Sequence, residues 1–392
     1  MSHASDSSLR VIVTLSAASF GVLGACLTVP GTLLPLLVEQ FQIRLVEAGS
    51  MLALQPMGYL LSVLAAGRLI NRFGMRAVLS VGLLTSAAGF AGFGLAEGWI
   101  SGAAMMFVTG LGFGVMEVGI NTLLIAAGGE RRANLLNFTH LFFGVGSFIG
   151  PVVSAHAVAA GVSWRIAFAV SGVLTAAIGV GWSSLRIAAT PESPPALGTG
   201  HRPGVRSRLA VLLALLLGAY VGAEMGIGGW LTKYMVTVRG VALTYAGNTL
   251  SLYWMGLAAG RLVLSVLSHR IPEETLLLIL SVTATIAVAL GLVVPAPWTA
   301  AVCFAATGIG FSGIFPAVIA LGGRCHPHNT AGVTSVMIAG AGVGGILIPW
   351  AMSAIADAAG LVAGMAFYAG MSGIMIVLAV AVKRSLPTAS QG

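Results

Sequence analysis

Long runs without a charged residue recur along the whole chain and restrict what it can fold into. Residues 11–38 and 133–164 contain no Asp, Glu, Lys or Arg, and residues 275–323 contain none over 49 positions. A helix that crosses a bilayer needs about 20 mainly apolar residues. Prolines 295 and 297 interrupt the longest run, which predicts two helices joined by a tight turn there. We predict twelve membrane-spanning helices, within residues 11–37, 47–70, 77–96, 101–127, 134–160, 165–186, 209–235, 243–269, 274–294, 298–322, 329–356 and 360–382.

Composition excludes most other classes of protein. Of 392 residues, 57% are hydrophobic and 8% are charged, whereas soluble domains carry about 25% charged residues. Three scattered cysteines are too few for a disulfide framework or a zinc cluster. The 54 glycines favour closely packed helices over a barrel. No phosphate-binding loop or His-Glu-x-x-His motif is present, so we expect neither enzymatic activity nor a cofactor or metal.

The basic residues are distributed unevenly between the two sides of the predicted bundle. The net charge is +8, but the cations are dispersed between apolar runs, which argues against nucleic-acid binding. All but four of the 19 Lys and Arg residues fall on the side that carries both termini, the exceptions being Arg44, Arg165, Lys233 and Arg239. Because cytoplasmic loops are enriched in Lys and Arg, both termini are predicted to lie in the cytoplasm, with the chain in the cell (inner) membrane.

The chain divides into two similar halves. A Pro- and Gly-rich polar stretch at 188–207 is predicted to be a cytoplasmic linker between bundles at 1–187 and 208–392. Short segments recur across the halves: 64–69 in 257–262 at an offset of 193, and 109–113 in 307–311 and 144–151 in 342–349 at an offset of 198. The predicted fold is therefore an all-α membrane protein of two pseudo-symmetric six-helix bundles, an arrangement typical of secondary transporters.

The loop after the second span carries a family resemblance. Residues 67–76, Gly-Arg-Leu-Ile-Asn-Arg-Phe-Gly-Met-Arg, resemble the signature of the major facilitator superfamily, with Asn71 where that pattern has Asp. Asn retains hydrogen-bonding groups but lacks the charge that would pair with cations. The resemblance implies alternating access of the two bundles and a gating role for this loop. The expected gating residues are Gly67, Arg68, Asn71, Arg72, Gly74 and Arg76, with Arg261 from the repeat of Arg68.

Further motifs are similar to the fucose and glucose proton-symporter branch of that superfamily. They are residues 114–122, 134–146 with Gly150-Pro151, and 222–224 with Gly229-Trp230. This similarity implies that Glu117, in the fourth span, takes part in proton and sugar handling. Bacterial fucose carriers of the branch also have an Asp in the first span, which residues 11–38 lack. Proton coupling and sugar specificity therefore stay open at this point.

Two carboxylates, Glu117 and Glu224, fall deep inside predicted spans. A charged group at membrane depth is costly, so it faces a cavity, pairs, or becomes protonated. Asn121 follows Glu117 by four residues and lies on the same helical face, while Gly110 and Gly114 extend a small, polar stripe. The alternative for each glutamate is a structural hydrogen bond to a neighbouring helix.

Several other polar and aromatic residues are candidates for the site. Three glycines after Glu224 are expected to loosen or break the seventh span, and Trp230 and Tyr234 follow, either at a solute site or in an interfacial aromatic belt. His140 is either a proton relay or a partner of a neighbouring helix. The remaining candidates for solute contact are Asn137, Gln55, Tyr59, Tyr253 and Trp254.

Taken together, these features predict a secondary active transporter that moves a small polar solute by alternating access. We expect proton-coupled symport, a sugar as one candidate solute, and a monomer whose partners are the solute, protons and the lipid bilayer. The alternative is a drug or metabolite antiporter that exchanges its cargo for protons. Residues 102–128 contain only one charged residue, Glu117, whereas drug–proton antiporters of the superfamily carry an Arg in the fourth span.

Overall fold

The computed structural model describes residues 6–185, 207–267, 270–327 and 329–386, so residues 188–206 of the predicted linker at 188–207 lie outside the described residues. This part contains twelve spans that are long and apolar enough to cross a membrane, the tenth of them made of two consecutive helices within Pro297–Cys325, which confirms the predicted fold class. The α-helices are α1 (Asp6–Phe41), α2 (Leu45–Phe73), α3 (Met75–Gly94), α4 (Trp99–Gly128), α5 (Arg132–Ala159), α6 (Trp164–Ser184), α7 (Arg208–Thr237), α8 (Leu243–Leu267), α9 (Glu273–Val293), α10 (Pro297–Phe311), α11 (Ile314–Cys325), α12 (Thr330–Ala359) and α13 (Leu361–Ser385).

Two of the connections between helices are single glycines with positive φ. Gly74 joins α2 to α3 at φ +83°, and Gly360 joins α12 to α13 at φ +91°. Residues with a Cβ rarely adopt this backbone conformation, whereas glycine does so without steric cost. In both places the glycine lets one helix end and the next begin with no intervening loop.

The chain divides between residues 196 and 197 into two compact units. In unit 1, α1 packs on α5, α2 on α4, and α3 on both α4 and α6. In unit 2, α7 packs on α12, α8 on α10, and α9 on both α10 and α13. The same set of helix pairs is therefore built twice, once from each half of the sequence.

Close glycine contacts set the register of this duplication. Gly110 of α4 packs against the Gln55 carbonyl of α2, and Gly308 of α10 packs against the Tyr253 carbonyl of α8. Both partners in the second pair are 198 residues after their counterparts in the first. Gly58 and Gly256 repeat the same offset against residues 107 and 305. The structural register of α2 and α8 is therefore 198, and the 193-residue echo at 64–69 is out of register.

This register corrects the expected equivalence of Arg68 and Arg261. At an offset of 198, Arg261 corresponds to Val63 and not to Arg68. A shift of five residues moves a side chain by about 7.5 Å along a helix axis. Arg261 therefore lies five residues before Val266, the position on α8 that is equivalent to Arg68.

The tenth span is broken, although we predicted one helix over 298–322. The α10 helix ends at Phe311 and α11 begins at Ile314. Pro316 has no amide hydrogen and its ring clashes with the carbonyl four residues earlier, at Ser312, so a continuous helix is disfavoured there. Within the break, the Ser312 hydroxyl donates a hydrogen bond to the Ile309 carbonyl at 2.7 Å.

Replacing Gly110 with alanine is expected to destabilise unit 1 by about 1–3 kcal/mol, because an added methyl group overpacks the contact of α4 with the Gln55 carbonyl. Gly370 of α13 is the matched control, since a Cβ there meets no atom within 4 Å. At that position alanine is expected to be neutral or stabilising through its higher helix propensity. Thermal unfolding of both variants in detergent measures the difference, and equal melting temperatures would contradict the packing argument.

Candidate functional site

The carboxylate of Glu117 is held by a neighbouring helix in unit 1. The Tyr59 hydroxyl on α2 donates a hydrogen bond to Glu117 Oε2 on α4 at 3.1 Å, and both residues are partly buried. Gly110 and Gly114 let the α4 backbone approach α2 closely, which brings the two side chains within bonding distance. The sequence-predicted acidic residue thus lies at the α2–α4 contact.

A second polar pair lies one turn further along α4. His140 Nε2 on α5 is 3.2 Å from Asn121 Oδ1, and the His140 ring is 4.4 Å from the ring of Phe20 on α1. Four residues along a helix correspond to a rise of about 6 Å. The structure therefore brings Glu117, Asn121 and His140 into one polar strip along α4. Asn137, in contrast, lies on an exposed part of α5.

Gln55 lies one turn before Tyr59 on α2. Its side chain is 8% exposed, and its Nε2 atom has no hydrogen-bond partner in the described part of the chain. A buried amide donor without an acceptor costs free energy. Gln55 is thus a donor available to a polar ligand next to the Tyr59–Glu117 pair.

In unit 2, Glu224 lies in a buried cluster on α7 and α8. Tyr220 lies one turn earlier on α7, and both Tyr220 and Arg261 of α8 are near enough to Glu224 to interact with its carboxylate electrostatically. The Tyr253 hydroxyl donates to the Glu224 backbone carbonyl at 2.9 Å. Arg261 therefore contributes a cation close to this cluster, and its predicted gating role stays a prediction.

The glycines after Glu224 have a different role from the one predicted. The α7 helix is continuous from Arg208 to Thr237, so the expectation of a loosened or broken helix was wrong. A Cβ at Gly226 would clash with the Tyr368 ring, and one at Gly228 would approach Trp254 to 2.6 Å. The two glycines thus make room for aromatic side chains from α13 and α8.

Trp230 and Tyr234 are 0% and 1% exposed, so both rings pack inside unit 2. The Tyr234 hydroxyl accepts a hydrogen bond from Arg239 Nε at 3.0 Å and donates to the Leu292 carbonyl at 3.4 Å. The Arg239 guanidinium also donates to the carbonyls of Gly291, Leu292 and Val294. Tyr234 and Arg239 therefore bind the free carbonyls at the end of α9, as expected for a cation near a helix C-terminus.

All the predicted gating residues except Arg261, which is on α8, lie at the α2–α3 connection. Residues 67–73 form the last two turns of α2, Gly74 makes the turn, and Arg76 is the second residue of α3. Arg68, Asn71, Arg72 and Arg76 are all exposed, and the Arg72 guanidinium is 5.2 Å from the Phe73 ring centroid. Their role in gating stays a prediction.

Sequence reasoning missed Tyr220 and Tyr368. Tyr220 precedes Glu224 by four residues, so helical spacing alone could have placed it on the same face. Tyr368 is on α13, with five helices between it and α7, and no local pattern connects the two.

Comparison with known proteins supports a transporter. A model of the Major Facilitator Superfamily matches residues 16–334. A glucose/galactose transporter of Brucella abortus biovar 1 (strain 9-941) is 25% identical over 325 residues, covering 77% of each chain. The protein TsgA homolog of Serratia proteamaculans is 22% identical over 81% of each chain. The crystal structure of a D-xylose-proton symporter has a similar fold, with a TM-score of 0.75, 18% identity, and coverage of 97% of this chain and 98% of that one.

Proposed function

The chain belongs to the Major Facilitator Superfamily, and from this membership we propose that it is a proton-coupled symporter for a small polar solute. Transport proceeds by alternating access of an N-terminal bundle (1–187) and a C-terminal bundle (208–392) joined by the segment 188–207. Both termini lie in the cytoplasm of the cell membrane, in keeping with the Lys and Arg distribution. The transporter acts as a monomer and exchanges only solute and protons with its surroundings.

The Tyr59–Glu117 hydrogen bond is the observation that carries this proposal. A carboxylate inside a membrane span is costly when charged, and a protein keeps one there when it faces a cavity or titrates. When Glu117 takes up a proton, its carboxyl group becomes a donor as well as an acceptor, so its bonding with Tyr59 changes. Proton uptake therefore alters the α2–α4 contact. This contact lies at Glu117, in the polar strip that also contains Asn121 and His140.

Coupling requires that solute and proton favour the same state of the carrier. A ligand shifts a conformational equilibrium only by its difference in affinity for the two states. Protonated Glu117 and the free amide of Gln55 offer hydrogen bonds to solute hydroxyl groups. Solute binding then offsets the free-energy cost of closing the protein over Glu117. A sugar is the solute we favour, because the Brucella abortus relative is named a glucose/galactose transporter.

Proton flux measurements in proteoliposomes test this function. With a pH-sensitive dye inside, adding D-glucose or D-galactose outside is expected to acidify the lumen, and an imposed inward proton gradient is expected to drive sugar accumulation. Liposomes without protein are the control. Sugar entry without proton movement would contradict symport. Proton release on addition of lipophilic cations would instead support the antiporter.

A further inference from the structure

A groove between α7 and α13 of unit 2 takes no part in the proton step at Glu117. It has a volume of about 410 Å³ and lies where α7 begins and α13 ends. Arg208 of α7 forms one side, and the other side is formed by Ile376, Val377, Val380, Ala381, Arg384 and Ser385 of α13. Both arginines are exposed, so the groove is open to the surroundings of the protein.

The side of the groove that α13 forms is apolar except at its end. Residues 376, 377, 380, 381 and 384 are spaced as one face of a helix, and Arg384 is the only charged residue among them. Eight residues separate Ile376 from Arg384, which corresponds to about 12 Å along the helix axis. Val377 is 67% exposed, and α13 is one of the candidate membrane spans. The apolar floor of the groove, residues 376–381, therefore faces the hydrocarbon of the bilayer.

The two arginines form a cationic rim, defined as Arg208 and Arg384, at the end of this floor. Among the described residues, no carboxylate lines the groove, and neither guanidinium has a hydrogen bond or an ion pair. The Ser385 hydroxyl already donates to the Ala381 carbonyl at 2.8 Å. The donors that the groove offers to a ligand are consequently those of the two guanidinium groups. A guanidinium binds phosphate through two parallel hydrogen bonds, so the rim suits a phosphate group.

The cationic rim and the apolar floor together define the class of ligand. A small soluble anion would pair with the rim and leave the floor uncovered. A lipid without net charge would cover the floor and leave the excess positive charge of the rim unbalanced. A phospholipid with a net negative charge satisfies both parts of the groove. The rim also lies on the side of the chain that is predicted to be cytoplasmic, where anionic lipids give the membrane a negative surface potential.

We propose that the groove between α7 and α13 binds one anionic phospholipid. Its phosphate lies between Arg208 and Arg384, and the first part of an acyl chain lies on the floor from Ala381 to Ile376. Each arginine near a negatively charged membrane surface strengthens binding by about fivefold, so the two together account for about 25-fold. The site is separate from Glu117 and does not depend on which solute the protein transports.

Native mass spectrometry of the purified full-length chain in detergent tests the proposal, because it counts the lipid molecules bound to each protein. The ligands are phosphatidylglycerol, phosphatidylcholine with the same acyl chains, and glycerol 3-phosphate, which has the charge without the chains. We expect a single phosphatidylglycerol to bind at least about tenfold more tightly than either of the other two compounds. This order separates a lipid site from a site for free phosphate.

A double variant tests the rim. Arg208→Gln combined with Arg384→Gln should weaken phosphatidylglycerol binding at least about tenfold and leave phosphatidylcholine binding unchanged. Arg131→Gln combined with Arg270→Gln is the matched control, since it removes two exposed positive charges outside the groove. The control should bind phosphatidylglycerol as the wild type does. Size-exclusion chromatography verifies that both double variants are folded.

A bulky side chain tests the floor. Val377→Trp fills the groove and should weaken phosphatidylglycerol binding by several-fold while both arginines are kept. Val173 on α6 is 69% exposed, close to the 67% of Val377, and lies outside the groove. Val173→Trp is therefore the matched control and should leave binding unchanged.

Four results would overturn the proposal. Phosphatidylcholine binds as tightly as phosphatidylglycerol, or glycerol 3-phosphate does so, which would make the rim a site for soluble phosphate. The control arginine pair loses as much affinity as the groove pair, which would show attraction by overall charge alone. A dimer forms without lipid and is lost in the Arg208 and Arg384 double variant, which would assign the groove to a second copy of the chain.

Discussion

Replacing Glu117 with glutamine is expected to reduce solute-driven proton movement by about a hundredfold or more, the scale of losing an essential proton-transfer group. Glutamine has nearly the same shape and still accepts a hydrogen bond from Tyr59, so the α2–α4 contact should survive. Its amide cannot take up a proton, however. The variant should therefore still exchange labelled solute across the membrane with no net proton flux, which counterflow and dye measurements on the same vesicles distinguish.

Two further variants control this experiment. Glu97→Gln changes an exposed carboxylate between α3 and α4 and should couple normally. Tyr59→Phe removes the donor to Glu117 but keeps the carboxyl group, so it should slow transport and preserve the proton-to-solute ratio. Unchanged coupled uptake in Glu117→Gln would show that Glu117 is not the proton carrier.

Replacing Arg261 with alanine is expected to lower the stability of unit 2 by about 2 kcal/mol, as judged by a lower melting temperature in detergent. Arg261 acts on the Glu224 carboxylate as a nearby cation. Removing one of two interacting buried charges costs up to about 3–5 kcal/mol, because the other charge is left uncompensated. Arg261 is itself exposed, and solvent screening reduces that cost. The remaining penalty comes from Glu224, which stays buried next to Tyr220 without its cation.

Removing the charge of Glu224 should reverse most of this loss. In the double variant Arg261→Ala with Glu224→Gln, no uncompensated charge remains, so the melting temperature should return most of the way to that of the wild type. Arg68→Ala is the matched control, since Arg68 is an exposed arginine outside this cluster and ordinary surface changes stay within about 0.5 kcal/mol. If the double variant melts lower than Arg261→Ala, the charge argument is wrong.

The membrane helices and the acidic face of α4 could be predicted from the sequence. Charge-free length decides whether a segment can span a bilayer, and this property needs no knowledge of neighbouring helices. The i, i+4 spacing of Glu117 and Asn121 likewise places them on one face of any helix. Two predictions about helix continuity were wrong. The tenth span breaks because the Pro316 ring would clash with a backbone carbonyl, and α7 stays continuous because its glycines make room for aromatic side chains of neighbouring helices.

Chain-local properties were thus determined by the sequence alone: twelve apolar spans, a duplicated order, and two glutamates at membrane depth. The tertiary structure decided which groups meet. It placed Tyr59 on Glu117, His140 by Asn121, and Arg261 with Glu224. These contacts depend on how one helix is rotated and shifted along another. Glycine contacts between α8 and α10 set that register at an offset of 198 residues, whereas the visible sequence repeat at 64–69 has an offset of 193. A shift of five residues places Arg261 near Glu224 and away from the position that is equivalent to Arg68.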